Sequence, residues 1–336
     1  MRGEENMLII GKGLVITGDK KQPLIRDGGI VTERDKIVKV GDFDLLHREF
    51  PWAEVADAED MIIMPGLINS REYIYREFSK GLCSGIQKRG EKQSPEAAWK
   101  GLGSHLTLSQ IRMSAAAVCI ESIKNGVTTV FDCARDRLPQ GSLRTIGEVV
   151  RAMGMRACLC RQAAEWEGEQ GKADADRENR DLAAYLEELG SPRLRGYSPE
   201  ETEYGLGTEG YPHDMFSAYR KAASVYGEQK AGRMLFEENN ELARQYFGMP
   251  FGVLKPDAAA DIIVVNYDPP VPVTEENIRE HLLFGVNGTM TDTTICAGHV
   301  LMYHRKLLVA DEKETMAHCR REARELAESI KVSEGL

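Results

Sequence analysis

The sequence has no apolar run of the roughly 18 residues that a membrane-spanning helix needs. Its amino terminus, MRGEENMLII, lacks the basic segment and the long apolar core of a secretory signal. The net charge is −10, and the sequence has no block of Lys and Arg that would form a local basic patch for a phosphate backbone. These absences predict a cytoplasmic protein that has neither a membrane nor a nucleic acid as a partner.

A disulfide framework is also missing, because the seven cysteines are odd in number and scattered through apolar segments. All seven cysteines, including Cys83, are therefore expected to be reduced thiols. Cys158 and Cys160 lie two residues apart on one predicted strand, a spacing that suits a soft metal, a redox pair or plain core packing. Core packing is favoured for both thiols, and for Cys133 at the end of another strand.

The hydrophobic pattern predicts an α/β protein. Short strands bounded by turn signals fill residues 7–63 and return after residue 260. Between them, helical spacing over residues 109–126 leads directly into the strand GVTTVFDC, and SLRTIGEVVRAMG leads into MRACLCRQ. Alternating helices and strands imply a parallel sheet. Residues 165–203 read as one exposed helix and a loop, followed by a short strand YGLGT and a helical stretch over 215–247.

Two motifs resemble the amidohydrolase superfamily. Residues 64–69, MPGLIN, match the segment that opens the first barrel strand of this family, and residues 252–265, GVLKPDAAADIIVV, match its GxLxPGxxADLVV. Residues 125–132 and 156–160 resemble the second and third barrel strands. Within the superfamily these segments look most like the SsnA-type aminohydrolases, which are similar to chlorohydrolases and guanine deaminases.

The resemblance implies a TIM-type (β/α) barrel with a small β-sandwich domain formed by both chain ends. Residues 1–63 and 251–310 would form the composite β-sandwich, residues 64–250 the barrel, and residues 311–336 a carboxyl-terminal amphipathic helix. Only about 40 residues separate Gln162 from Tyr204. One βα unit takes about 30 residues, so the barrel is predicted to be incomplete, with strands 4–7 missing. An internal deletion in a longer enzyme remains an alternative.

In this family a divalent metal at the barrel mouth activates water, and the resemblance identifies its ligands. The motif after PGLIN is T-H-x-H, whereas this chain has Ser70-Arg71-Glu72-Tyr73. A guanidinium cannot bind a metal ion and a phenol ionises only near pH 10, so Arg71 and Tyr73 mark two lost ligand positions. No metal is therefore expected as cofactor.

At the last barrel strand the family's G-T-D-G, with a catalytic aspartate, is replaced by a glutamate. Glu209 is thus the one catalytic candidate, and Glu72, Glu209 and His213 are the remaining weak candidates for metal ligands. His213 reads either as a ligand beside Glu209 or as a polar residue capping the helix that begins near Asp214. Arg71 and Glu72 either form a salt bridge with Glu209 in place of the metal or simply reach solvent.

Loss of these ligands favours a degenerate amidohydrolase homologue that acts as a scaffold or regulatory subunit. The resemblance places it near molybdenum- and selenium-dependent purine hydroxylase complexes. The alternative is an active aminohydrolase or deaminase with a rebuilt zinc or iron site, acting on carbon–nitrogen bonds. Because a half barrel exposes sheet edges and an apolar face, a protein partner or a second copy is predicted to cover the open barrel edge.

Overall fold

The computed structural model describes residues 7–82, 102–210 and 212–334, so Cys83 lies outside the described residues. Thirteen strands occur within these ranges: β1 Met7–Ile16, β2 Leu24–Glu33, β3 Lys36–Asp42, β4 Glu54–Asp57, β5 Ile62–Pro65, β6 Leu67–Glu72, β7 Val127–Ala134, β8 Arg156–Arg161, β9 Leu194–Gly196, β10 Ile262–Val265, β11 Thr291–Cys296, β12 His299–Tyr303 and β13 Lys306–Leu307.

Nine helices within the same ranges are labelled in chain order: α1 Phe43–Glu49, α2 Leu108–Lys124, α3 Ser142–Ala152, α4 Gly168–Leu189, α5 Met215–Tyr226, α6 Glu228–Arg233, α7 Asn239–Phe247, α8 Ile278–Glu280 and α9 Glu312–Glu334. A π-helical turn, Met234–Glu238, joins α6 to α7, and a 3₁₀ helix, Ile74–Ser79, follows β6. Every helix in the described part of the chain is too short or too polar to span a membrane.

Strands from the two ends of the chain share one nine-stranded sheet, in the order β13-β12-β11-β10-β5-β1-β2-β3 with β4 beside β1. The strands meet where β10 pairs antiparallel with β5, Ile263 opposite Met64. Strands from both ends of the sequence contribute to this sheet, because β10, although far away in sequence, pairs with β5 and extends the layer that β1 and β5 start. The predicted domain boundaries stay a prediction.

The second sheet is parallel, in the order β6-β7-β8-β9, as the alternation of helices and strands predicts. Apolar side chains cover both of its faces, as parallel sheets require. Helices α2, α3 and α4 pack on one face. On the other face, Leu242 and Phe247 of α7 and Phe251 pack against Ile68 and Phe131 of the strands. The α/β fold with a parallel barrel-type sheet and an additional layer is thus confirmed.

Two local predictions were wrong. Residues 204–208 form no strand of their own: the segment follows β6 through two backbone bonds, Ser70 N to Leu206 O at 3.2 Å and Glu209 N to Arg71 O at 3.0 Å. The fourth parallel strand is instead β9, which lies in the stretch expected to be a loop. One apolar face of the parallel sheet is covered by α7 of the same chain. A protein partner or second copy that covers the open barrel edge stays a prediction.

Gly207 allows this segment to approach β6 closely. A Cβ at this position would lie 2.5 Å from Arg71 Cβ and 2.6 Å from Arg71 O. We expect Gly207→Ala to lower the free energy of unfolding by about 1–3 kcal/mol, because backbone must shift to make room. Gly196→Ala is the matched control, since no heavy atom lies within 4 Å of the position that its added methyl group would take. Equal urea midpoints for the two variants would contradict the close contact.

Candidate metal centre

A buried histidine lies between carboxylates from two different elements. The imidazole of His213 is 1% exposed; its Nδ1 is 2.8 Å from Glu72 Oε2 and its Nε2 is 2.9 Å from Glu77 Oε2. A third carboxylate oxygen, Glu121 Oε2, lies 3.8 Å from Nε2. Three acidic groups therefore surround one imidazole, which we call the His213 cluster: His213, Glu72, Glu77 and Glu121.

Four separate segments position this cluster. Glu72 is the last residue of β6, Glu77 belongs to the 3₁₀ helix after it, and Glu121 lies near the end of α2. His213 precedes α5, whose N-cap is Asp214: its side chain accepts from Phe216 N at 2.9 Å. Asp214 is therefore the N-cap, and the alternative that His213 caps this helix is wrong. The side chain of His213 contacts Glu72 instead.

The 3₁₀ helix reaches α2 through one buried hydroxyl. Ser114 Oγ donates to the carbonyl of Ile74 at 2.6 Å and accepts from the backbone N–H of Glu77 at 3.2 Å. Ser114 and Glu121 are seven residues apart on α2, two helical turns, and so share a face of that helix. This contact brings the carboxylates of Glu77 and Glu121 together.

Glu72 is fully buried and saturated with hydrogen bonds. Its carboxylate accepts from Asn69 Nδ2 at 2.7 Å, Thr208 Oγ1 at 2.9 Å and the backbone N–H of Tyr73 at 2.9 Å. Burial alone would raise the pKa of Glu72, but the His213 imidazolium and these donors hold it below its ordinary value. The group is therefore a buried anion directed at Nδ1 of the imidazole.

The contacts with these carboxylates also shift the pKa of His213, but upward. Burial would lower the pKa of His213, but Glu72 and Glu77 raise it to about 10. Lys80 adds a second cation, with Nζ 2.7 Å from Glu77 Oε1 and 3.1 Å from Glu121 Oε2. Without a metal ion, a proton on His213 and the ammonium of Lys80 offset two of the three carboxylate charges.

The donor set fits a divalent metal ion. One ligand atom from each of His213, Glu77 and Glu121 lies within 4.8 Å of the others. A nitrogen and two carboxylate oxygens are ligands that zinc accepts. In metal sites the second nitrogen of a ligating histidine usually donates to a carboxylate, which fixes the ring, and Glu72 occupies that place. These residues would hold the ion with Nε2 of His213 toward it.

The positions matching the lost ligands hold a different arrangement. Arg71 Nε donates to the phenol oxygen of Tyr73 at 3.2 Å, and Arg71 Nη1 lies 3.4 Å from Glu209 Oε1. The ion pair between Arg71 and Glu209 that the sequence suggested is present, with Glu209 60% exposed, whereas Glu72 turns to His213. Glu209 is accordingly no member of the His213 cluster.

Sequence reasoning missed Glu77 and Glu121. Neither belongs to a family motif, and no short spacing links them to His213. The one available signal was the helical spacing of Ser114 and Glu121, and it becomes meaningful only when the 3₁₀ helix is seen to fold back along α2.

Comparisons with known proteins were made for sequence and for fold. No protein-family model matches the chain. It is 25% identical over 186 residues to the 5'-deoxyadenosine deaminase of Methanosarcina barkeri, covering 53% of this chain and 38% of that protein. It is 39% identical over 187 residues to the 5-methylthioadenosine/S-adenosylhomocysteine deaminase of Thermococcus sibiricus, covering 56% of this chain and 41% of that protein. The matches thus span well under half of these curated relatives.

Two zinc-containing structures have a similar fold. The atrazine chlorohydrolase of Arthrobacter aurescens, complexed with zinc, aligns with a TM-score of 0.67 at 17% identity, covering 94% of this chain and 100% of that chain. An adenosine deaminase of Xanthomonas campestris with bound zinc aligns with a TM-score of 0.67 at 15% identity, covering 95% and 98%. At these identities the likeness concerns the fold.

These findings correct two predictions. The interpretation as a non-catalytic scaffold or regulatory subunit is wrong, because the curated relatives are named deaminases and the structural neighbours are hydrolases. The expectation of no metal is also wrong: the neighbours hold zinc, and the described residues contain a cluster of suitable ligands. Arg71 and Tyr73 occupy the family's histidine positions and His213 was expected beside Glu209, whereas the structure places His213 beside Glu77 and Glu121.

Proposed function

The resemblance to the amidohydrolase superfamily is confirmed by relatives and fold together, and from that premise we propose that the chain is a metal-dependent aminohydrolase. Its reaction would be hydrolysis of a carbon–nitrogen bond, with release of ammonia from an aminopurine nucleoside. The substrate class is taken from the names of the deaminases it matches. Zinc is the proposed metal because the structural neighbours hold it.

The observation that carries this proposal is the His213 cluster. A histidine that is 1% exposed, with its Nδ1 on a fully buried carboxylate and its Nε2 among further carboxylate oxygens, costs free energy to bury unless every charge is compensated. Such an arrangement suits a bound cation. When bound, the ion would lower the pKa of a water molecule and so supply hydroxide near neutral pH.

The residues of the chain have separate tasks in this proposal. His213, Glu77 and Glu121 are the ligands, and Glu72 fixes the ring of His213 through Nδ1. Lys80 contacts both ligand carboxylates, at 2.7 and 3.1 Å. Its ammonium therefore limits the repulsion between Glu77 and Glu121, which keeps their oxygens on the same side of the imidazole.

We further propose that the four-stranded parallel sheet is a partial (β/α) barrel from which strands 4–7 are missing, and that the nine-stranded sheet is a composite domain built from both chain ends. Support comes from the sheet order β6-β7-β8-β9 and from the pairing of β10 with β5. The side chain of Glu121 is 38% exposed, which would leave the metal approachable from solvent.

Replacement of Glu121 tests the function. We expect Glu121→Gln to lower zinc content and the rate of ammonia release from 5'-deoxyadenosine by at least about tenfold, because one anionic ligand is lost. The matched control is Glu148→Gln. Glu148 is 35% exposed and binds two arginines, Arg112 at 2.9 Å and Arg144 at 3.2 Å, away from the cluster. Zinc is measured by atomic absorption after dialysis, and ammonia by a coupled assay.

The outcomes separate the two parts of the proposal. If the unchanged protein binds stoichiometric zinc and Glu121→Gln does not, but neither protein releases ammonia, the metal site is supported and the deaminase activity is refuted. Zinc content equal in Glu121→Gln and Glu148→Gln would refute the site itself.

A further inference from the structure

A second group of reactive side chains lies at the carboxyl ends of β7 and β8. Cys133 and Cys160 are direct register partners on these parallel strands. Neighbouring strands are about 4.8 Å apart, which falls inside the Cα separation of about 4.4–6.8 Å that a disulfide tolerates. Core packing is the favoured expectation for Cys158, and Cys158 packs in the apolar cluster of Phe131 and Phe247.

Polar side chains surround the two thiols at the strand ends. The two sulfurs and the hydroxyl of Tyr197 lie close enough together to influence one another's pKa. Tyr204 Oη donates in turn to Tyr197 Oη at 3.3 Å. Cys133 Sγ also donates to Gln162 Oε1 at 3.9 Å, an oxygen that accepts from Arg135 Nε at 2.8 Å. The Cys133 thiol thus lies in a polar network although it is only 4% exposed.

The environment distinguishes the two sulfurs. The hydrogen bond from Cys160 and the positive charges of Arg135 and Arg71 lower the pKa of Cys133, against the effect of burial. Burial and the neighbouring Cys133 raise the pKa of Cys160. A thiolate is the nucleophilic form of cysteine, and it is favoured near arginines. One sulfur of the pair is therefore set up to react first and the other to follow.

We propose that Cys133 and Cys160 form a dithiol site that reduces hydrogen peroxide. The Cys133 thiolate attacks one oxygen of the peroxide; the O–O bond breaks, sulfur is oxidised to a sulfenic acid, and the second oxygen leaves as water after taking up a proton. The sulfur of Cys160 then attacks Cys133, forming the S–S bond. The hydroxyl of the sulfenic acid leaves with the proton of Cys160 as a second water.

The site is independent of the His213 cluster, and its test uses the full chain. Reduced protein is treated with hydrogen peroxide, digested, and analysed by mass spectrometry. We expect a Cys133–Cys160 crosslinked peptide that has lost two hydrogen atoms and reverts with dithiothreitol. In Cys160→Ser the crosslink should be absent and Cys133 should be trapped by dimedone as a sulfenic acid. In Cys133→Ser neither product should form.

A comparison of two thiols in the unchanged protein gives a test that does not depend on the folding of the variants. Cys319 is also 4% exposed, but burial raises its pKa to about 11 and its thiol donates to the backbone carbonyl of Met113 at 3.4 Å. We expect iodoacetamide to modify Cys133 at least about tenfold faster than Cys319 at neutral pH. Equal rates for the two thiols, or peroxide treatment that leaves Cys133 and Cys160 as free thiols, would overturn the proposal.

Discussion

Replacing Asp261 with alanine is expected to lower the free energy of unfolding by about 3–5 kcal/mol, because it leaves a buried guanidinium without a counter-ion. Arg156 is 0% exposed at the start of β8, and its Nε lies 3.1 and 3.2 Å from the two carboxylate oxygens of Asp261. The rings of Phe247 and Phe251 lie 5.6 and 5.5 Å from the guanidinium carbon. Within the described residues, Nη1 and Nη2 have no hydrogen-bond acceptor.

This pair joins the two sheets, since Arg156 begins a strand of the parallel sheet and Asp261 immediately precedes β10 of the other. Asp261 also accepts from the backbone N–H of Ala297 at 2.8 Å, next to β11. Loss of the Asp261 side chain should therefore weaken the contact between the two sheets and also leave the charge of Arg156 without a counter-ion. The measurement is a urea denaturation curve followed by circular dichroism.

Two further variants show whether charge burial is the cause. The double variant Arg156→Met with Asp261→Leu removes both charges and should recover much of the lost stability. Glu241→Ala breaks an exposed ion pair with Arg244 and should leave the urea midpoint unchanged. The explanation is wrong if Asp261→Ala behaves like Glu241→Ala, or if the double variant is no more stable than the single one.

Glu72→Gln is expected to weaken zinc binding about 10- to 100-fold, the usual cost of losing a carboxylate that orients a ligating histidine. The change keeps the size of the side chain but removes the negative charge from the atom that accepts from His213 Nδ1 at 2.8 Å. The imidazole then loses both its fixed orientation and part of its basicity. Competition with a zinc-binding dye reports the affinity.

A buried carboxylate elsewhere provides the control for Glu72→Gln. Glu178 is 2% exposed and accepts from the backbone N–H of Gly141 at 2.5 Å and of Leu143 at 3.4 Å, at the start of α3. Glu178→Gln should destabilise the protein without changing its affinity for zinc. Parallel losses of affinity in both variants would mean that stability, and not the orientation of His213, controls binding.

Elements with a strong local pattern could be predicted from sequence. Strands β7 and β8 are rich in apolar residues and buried along their whole length, and α2 begins with a capping box formed by Thr107 and Gln110. Strand β9 was missed because it has three residues, Leu194–Gly196, beside a Ser-Pro break. Its existence depends on pairing with β8, which supplies the tertiary contact that a short segment lacks on its own.

The candidate site was harder to predict because its partners are remote in sequence. His213 was recognised as unusual, but its expected partner, Glu209, pairs with Arg71 instead. Residue Glu209 adopts φ 54°, and the chain turns at Glu209 and Gly210. A turn of this kind redirects the side chains that follow, and strand periodicity carries no information about it.

The position of α7 limits how further strands could be added to the parallel sheet. Asn239, at the start of α7, is fully buried and donates to the carbonyls of Ile68 and Leu206 while accepting from the N–H of Leu206. The helix thereby covers the face of the parallel sheet that is opposite α2, α3 and α4. Any strand added beside β9 and curved toward this face would meet α7, so such a graft must also relocate residues 239–251.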